Sequence, residues 1–129
     1  MLDTNIVSDL IRNPTGRVAE CLGAVGVPSA CVSILTAAEL RYGARKRGSQ
    51  RLMEDVEGTL QRITVADLGP PADATFAEVR HHLTTRGIPI GPIDLLIAAH
   101  ALALDLTLVT ANIREFSRVP DLRVENWLD

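Results

Sequence analysis

The chain is short of the residues that would make several functions easy to recognise. It has only two cysteines, Cys21 and Cys31, in 129 residues. That is too few for a disulfide framework or a thiolate zinc site, so both are expected as buried thiols in a reducing compartment. No apolar run approaches the ~20 residues of a membrane helix. Met1-Leu2-Asp3 opens no basic-then-apolar leader, so a cytoplasmic protein with no membrane partner is expected. No G-x-G occurs, which removes the dinucleotide-binding fingerprint. The only lysine, Lys46, falls in a helical stretch, whereas a receiver domain needs one at a strand end. A haloacid-dehalogenase-type phosphatase needs a second aspartate two residues after the first, and that position is Asn5.

What is present describes an ordinary globule: 47% apolar, 22% charged, net charge −3 and enough chain for one domain over 1–129. The negative sum does not announce a nucleic-acid binder, but the basic residues are clustered. Arg41, Arg45, Lys46, Arg47 and Arg51 fall within eleven positions. Arginine's planar fork suits phosphate, and a solvated helix face explains the same cluster equally well.

Short apolar, partly β-branched segments alternate with helical ones. Leu2-Asp3 is a strand stub, and helices are predicted over 4–12 and from Pro14 to Leu22. A buried strand spans 27–34, and a helical hairpin spans 36–46 and 50–63. A strand at 63–66 and a helix from 73 to 85 follow. An apolar helix at 93–104, a strand at 106–109, a turn or short helix at 112–117 and an edge strand at 123–127 complete the chain. Such alternation predicts an α/β fold with a mainly parallel sheet.

Asp3, Glu39 and Asp94 each lie where an apolar segment meets a turn or a helix start. Ligands of open parallel sheets bind beyond the carboxyl ends of the strands, so these carboxylates are expected at one edge, with Asn112. Each also has a plain structural role available. Asp3 suits an N-cap, Thr36-Ala37-Ala38-Glu39 a capping box, and Asp94 the first turn of a helix. Carboxylates gathered together repel one another unless a cation neutralises them, and all-oxygen ligands select Mg²⁺ or Mn²⁺ over zinc. Thr110 and Ser33 are available to orient them. Glu115, three residues after Asn112, is able to turn toward the site but reads more readily as a surface residue beside Arg114 and Arg118, and His100 as a satisfied core residue.

The string Leu2-Asp3-Thr4-Asn5-Ile6 resembles the opening of PIN-domain proteins. Ser33 to Leu40, Pro92 to Ala99 and Leu108 to Phe116 resemble their later motifs, in order along the whole chain. The fourth motif and the close from Val119 to Leu128 resemble the VapC toxins of type II toxin–antitoxin pairs. The resemblance implies a PIN-like three-layer sandwich and a Mg²⁺-dependent endoribonuclease (Mn²⁺ as substitute) that arrests translation. It places the main metal on Asp3 and Asp94, with Glu39 assisting. A VapB-like antitoxin, an RNA substrate of tRNA or rRNA type and a homodimer are its implied partners. Asn112 stands where many PIN proteins have aspartate, so a catalytically impaired RNA- or antitoxin-binding module is the alternative. The apolar stretches 6–11 and 35–40 would serve an antitoxin groove, a dimer face or plain core packing.

Overall fold

Five short parallel segments make the central sheet of the computed structural model, which describes residues 1–128. The N-terminal stub lies in the middle. Leu2 donates its amide to the Cys31 carbonyl, Asp3 donates to Val109, and Val109 donates to Met1, each at 2.8 Å. On one side of the stub stand β1 (Cys31–Ser33) and then β2 (Thr64–Ala66); on the other stand β3 (Leu108–Val109) and then β4 (Val124–Glu125). Every pairing is parallel, so all strands deliver their carboxyl ends to one edge.

Period-two alternation divides the core into two layers. Leu2, Val32, Val65 and Val109 face a cluster with α1 (Thr4–Arg12), α2 (Arg17–Val25), α3 (Ile34–Arg47) and α4 (Gln50–Arg62). Met1, Cys31, Ala66, Leu108 and Val124 face α5 (Ala72–Thr85), α6 (Pro92–Ala103) and α7 (Ile113–Phe116). The fold is therefore the expected α/β sandwich of helices on both faces of a parallel sheet. Ile6 and Val7 are fully buried, so the inner side of α1 belongs to the core. No helix among the described residues is long and apolar enough to cross a membrane.

Several boundaries differ from the sequence reading. The strand expected over 27–34 shrinks to three residues. Gly26 turns at φ +88°, and Pro28 lies in an exposed 3₁₀ turn (Val27–Ser29), where its missing amide cannot serve a ladder. The second helix begins at Arg17, not Pro14, and runs through Gly23 to Val25, with Gly26 as its cap. α3 begins earlier than expected: Ser33 is its cap, accepting from Leu35 N at 3.1 Å. Thr36 is consequently inside the helix and fully buried, so no capping box forms with Glu39. Cys21 and Cys31 are half-buried and free, not fully buried. His100 is the satisfied core residue expected. Its Nε2 donates to the Asp67 carbonyl at 2.9 Å, which leaves Nδ1 to accept from Ser33 Oγ at 2.8 Å.

Candidate active site

The sheet's carboxyl edge is where the acidic residues meet. Asp3 leaves the central stub and caps α1, its Oδ1 accepting from Thr4 N at 2.8 Å. Its Oδ2 accepts from Thr110 Oγ1 at 2.8 Å and from Asn5 Nδ2 at 3.2 Å. The side chain is only 3% exposed, and these donors offset the cost of burying its charge. Thr110, just past β3, is fully buried and also accepts from Asn112 N at 3.0 Å. One hydroxyl thus ties the first strand end to the fourth motif. Asn5 makes a second tie, accepting from Ala111 N at 2.9 Å. Nothing in the sequence distinguishes Asn5 as such a link.

Glu39 stands in the second turn of α3, half-buried, and its Oε1 accepts from Thr4 Oγ1 at 2.7 Å. Ser33 does not orient a carboxylate; its hydroxyl is spent on the α3 cap and His100.

Asp94 sits in the first turn of α6, after Gly91 and Pro92. Its carboxyl is pushed up to about 7, first by burial, then by a hydrogen bond and repulsion from Glu115, and then by the charges of Asp3 and Glu39. Glu115 moves the other way: the Gly91 amide chiefly holds it low, helped by Asn112, Asp94 and Arg118. Asp94 is the member of the pair that is raised because Glu115 already has other donors. Gly91 N reaches Glu115 Oε1 at 2.9 Å, and Asn112 Nδ2 reaches Oε2 at 2.9 Å.

Glu115 is therefore part of the site, not the surface residue its arginine neighbours suggested. Its sequence signal was available: it lies three residues after Asn112, one turn along the short α7. Asn112 contributes an amide donor that holds Glu115. The sequence left open whether it was a ligand, and here its amide is committed to that carboxylate.

Asp94 feels the charge of three other carboxylates at this edge, each from a separate segment. As they stand, no three acidic, histidine or cysteine side chains among the described residues form a group able to hold one ion. Asp3 and Glu39 are satisfied by hydroxyl and amide donors, and Glu115 by the amides of Gly91 and Asn112. The donor set nevertheless fits a hard divalent cation. It is all oxygen, and the proton on Asp94 marks a place where positive charge is lacking.

A parallel α/β sheet with acids at its carboxyl edge is matched across residues 1–122 by the family model of the PIN domain. The tRNA(fMet)-specific endonuclease VapC of Salmonella typhimurium is 38% identical over 128 residues, covering 98% of this chain and 96% of its own. Ribonuclease VapC2 of Haemophilus influenzae is 42% identical over 131 residues, covering 99% and 97%. Among solved structures, DNA-bound VapBC of Salmonella typhimurium superposes with a TM-score of 0.89 at 38% identity, covering 98% of this chain and 96% of that one. The chain belongs to the PIN-domain family, in its branch of VapC toxin ribonucleases.

Proposed function

We propose that this protein is the toxin of a VapBC-type pair and hydrolyses RNA phosphodiester bonds with Mg²⁺, or Mn²⁺ in its place, so arresting translation. The whole chain, 1–129, would act as one PIN domain in the cytoplasm. The observation that carries the reading is the meeting of Asp3, Glu39, Asp94 and Glu115 at one strand-end edge, tightly enough to hold a proton on Asp94 to about 7. A relative's name specifies tRNA(fMet), which favours tRNA over ribosomal RNA as substrate. Solved neighbours are VapBC assemblies, which favours a VapB-like antitoxin as partner. A homodimer is the expected assembly.

In this reading Asp3 and Asp94 hold the ion, and Glu39 and Glu115 complete the negative shell. Bound there, a divalent cation supplies an acidified water and relief of charge on the phosphate. Asp3 is fixed by Thr110 and Asn5, so it presents its charge without side-chain search. Glu39, held through one oxygen by Thr4, has its other oxygen free to accept a proton from attacking water. Asp94 must give up its proton before it can ligate. Glu115 is positioned for that same negative shell by Asn112 and Gly91. The presence of Glu115 also weakens the case for an impaired module, because the acid absent at position 112 is supplied one turn later.

The test is cleavage of a tRNA pool by purified protein in Mg²⁺ or Mn²⁺, in EDTA, and by a folded Asp94→Asn variant. Cleavage should require the cation and vanish in the variant. Undiminished cleavage in EDTA or by the variant sinks the metal mechanism. A protein that takes up no Mn²⁺ in calorimetry and cuts nothing is the binding module instead.

A further inference from the structure

A groove leaves the acidic edge between α1 and α3; Ile11, Leu40, Ala44 and Leu52 supply its apolar lining, and the rest follows a simple rule. α1 contributes Thr4, Ser8 and Arg12, while α3 contributes Glu39, Gly43 and Arg47. Both sets are spaced i, i+4, i+8, which places each on a single helical face. The sets share an offset of thirty-five residues, and their first members are joined by the 2.7 Å bond from Thr4 to Glu39. The groove has a volume of about 200 Å³. Gly43 keeps its middle open, since a side-chain carbon placed there would meet nothing within 4 Å.

The far ends carry the charge. Arg12 and Arg47 are each the last residue of their helix, and both are exposed. Neither forms a salt bridge among the described residues, whereas Arg41 of the same basic cluster is committed to Glu57 at 2.9 Å. Eight residues at 1.5 Å each set the arginines roughly 12 Å along their helices from the Thr4–Glu39 pair. A stacked strand rising ~3.4 Å per nucleotide crosses that distance in roughly three to four nucleotides.

We infer that this groove is the track of the RNA substrate beyond the bond being cut, with Arg12 and Arg47 gripping a backbone phosphate a few nucleotides from the acidic centre. The inference rests on the ribonuclease reading and adds to it a place for the strand. Two forked cations facing an open trough complement a phosphodiester, and the hydroxyls of Thr4 and Ser8 suit its sugars. The track reads no base, so the grip is independent of sequence.

The experiment uses a fluorescent single-stranded oligoribonucleotide and the Asp94→Asn protein, with Arg12→Ala and Arg47→Ala added singly and together. Binding is followed by anisotropy across a salt series. The double substitution should weaken binding at least about fivefold and lower the salt slope by about 0.7, the value for one lost phosphate contact. Lysine at both positions should restore most of the slope. An unchanged affinity and slope in a variant with an unaltered circular dichroism spectrum overturns the track and leaves the groove to a protein partner. Cleavage of the same oligomer by the unsubstituted protein is measured alongside. Its failure would count against the nuclease reading while the binding series still decides the groove.

Discussion

Thr110 donates its buried hydroxyl to Asp3 across 107 positions of sequence, at 2.8 Å. The same oxygen accepts the amide of Asn112. This joint connects the central strand to the motif that carries Glu115, so the two halves of the acidic edge are held at fixed separation. Replacing Thr110 by valine keeps the shape and removes the joint. The folded state should lose about 1–3 kcal/mol, as expected when a buried charged acceptor loses a donor. Urea unfolding reads this directly, and a midpoint equal to that of the parent protein would falsify the joint's importance.

The proton on Asp94 gives the metal-free protein a pH signature. Its folded value near 7 lies above the ordinary 3.8. Between those values the folded form holds a proton that the unfolded chain has released, so stability falls as pH rises from about 4 through 7. Metal uptake in the proposed function should show the opposite trend, strengthening as pH rises through 7, because a protonated carboxyl must first lose its proton. Melting temperature in EDTA and Mn²⁺ calorimetry across pH 5–8 check both slopes. Flat profiles in that window contradict the raised Asp94 carboxyl.

Asn112 is predicted to act as a donor to Glu115. Asn112→Asp would set a like charge against that carboxylate in place of the 2.9 Å bond. Without metal at pH 8 the variant should melt lower than the parent, and Mn²⁺ should raise its melting temperature by more. Equal melting temperatures with and without Mn²⁺ in parent and variant would show that residue 112 does not sense the site.

Phe116 links the core to the site through α7. It is fully buried among the α5–α6 side of the core, next to Glu115 in sequence. Phe116→Ala should cost about 3–5 kcal/mol in denaturant unfolding. The smaller Phe116→Leu should fold, yet weaken Mn²⁺ binding by disturbing the helix that carries Glu115. If Phe116→Leu binds Mn²⁺ as the parent does, the short helix does not transmit core packing to the acid.

Much of this protein could be read from residue order, because helix and strand obey local rules. The order of strands and helices, the parallel sheet and the meeting of Asp3, Glu39 and Asp94 follow from apolar periodicity and from acids at segment ends. The misread boundaries are those decided by competition among near neighbours. Ser33 took the cap that Thr36 could have supplied, because the chain leaves β1 at Ser33 and is already helical at Thr36. Pro28 and Gly26 shortened a strand whose composition favoured a longer one.

Sequence by itself determined the chemical type of the edge: carboxylate oxygens and excess negative charge. Tertiary structure alone decided which side chains answer which. Glu115 turned inward because two amide donors, Gly91 and Asn112, converge on it. Arg41 was withdrawn from the basic cluster by Glu57, while Arg12 and Arg47 were left facing one groove. Such choices depend on distances between residues far apart in the chain, and a charge or hydrogen bond acts over ångströms of space whatever the separation in sequence.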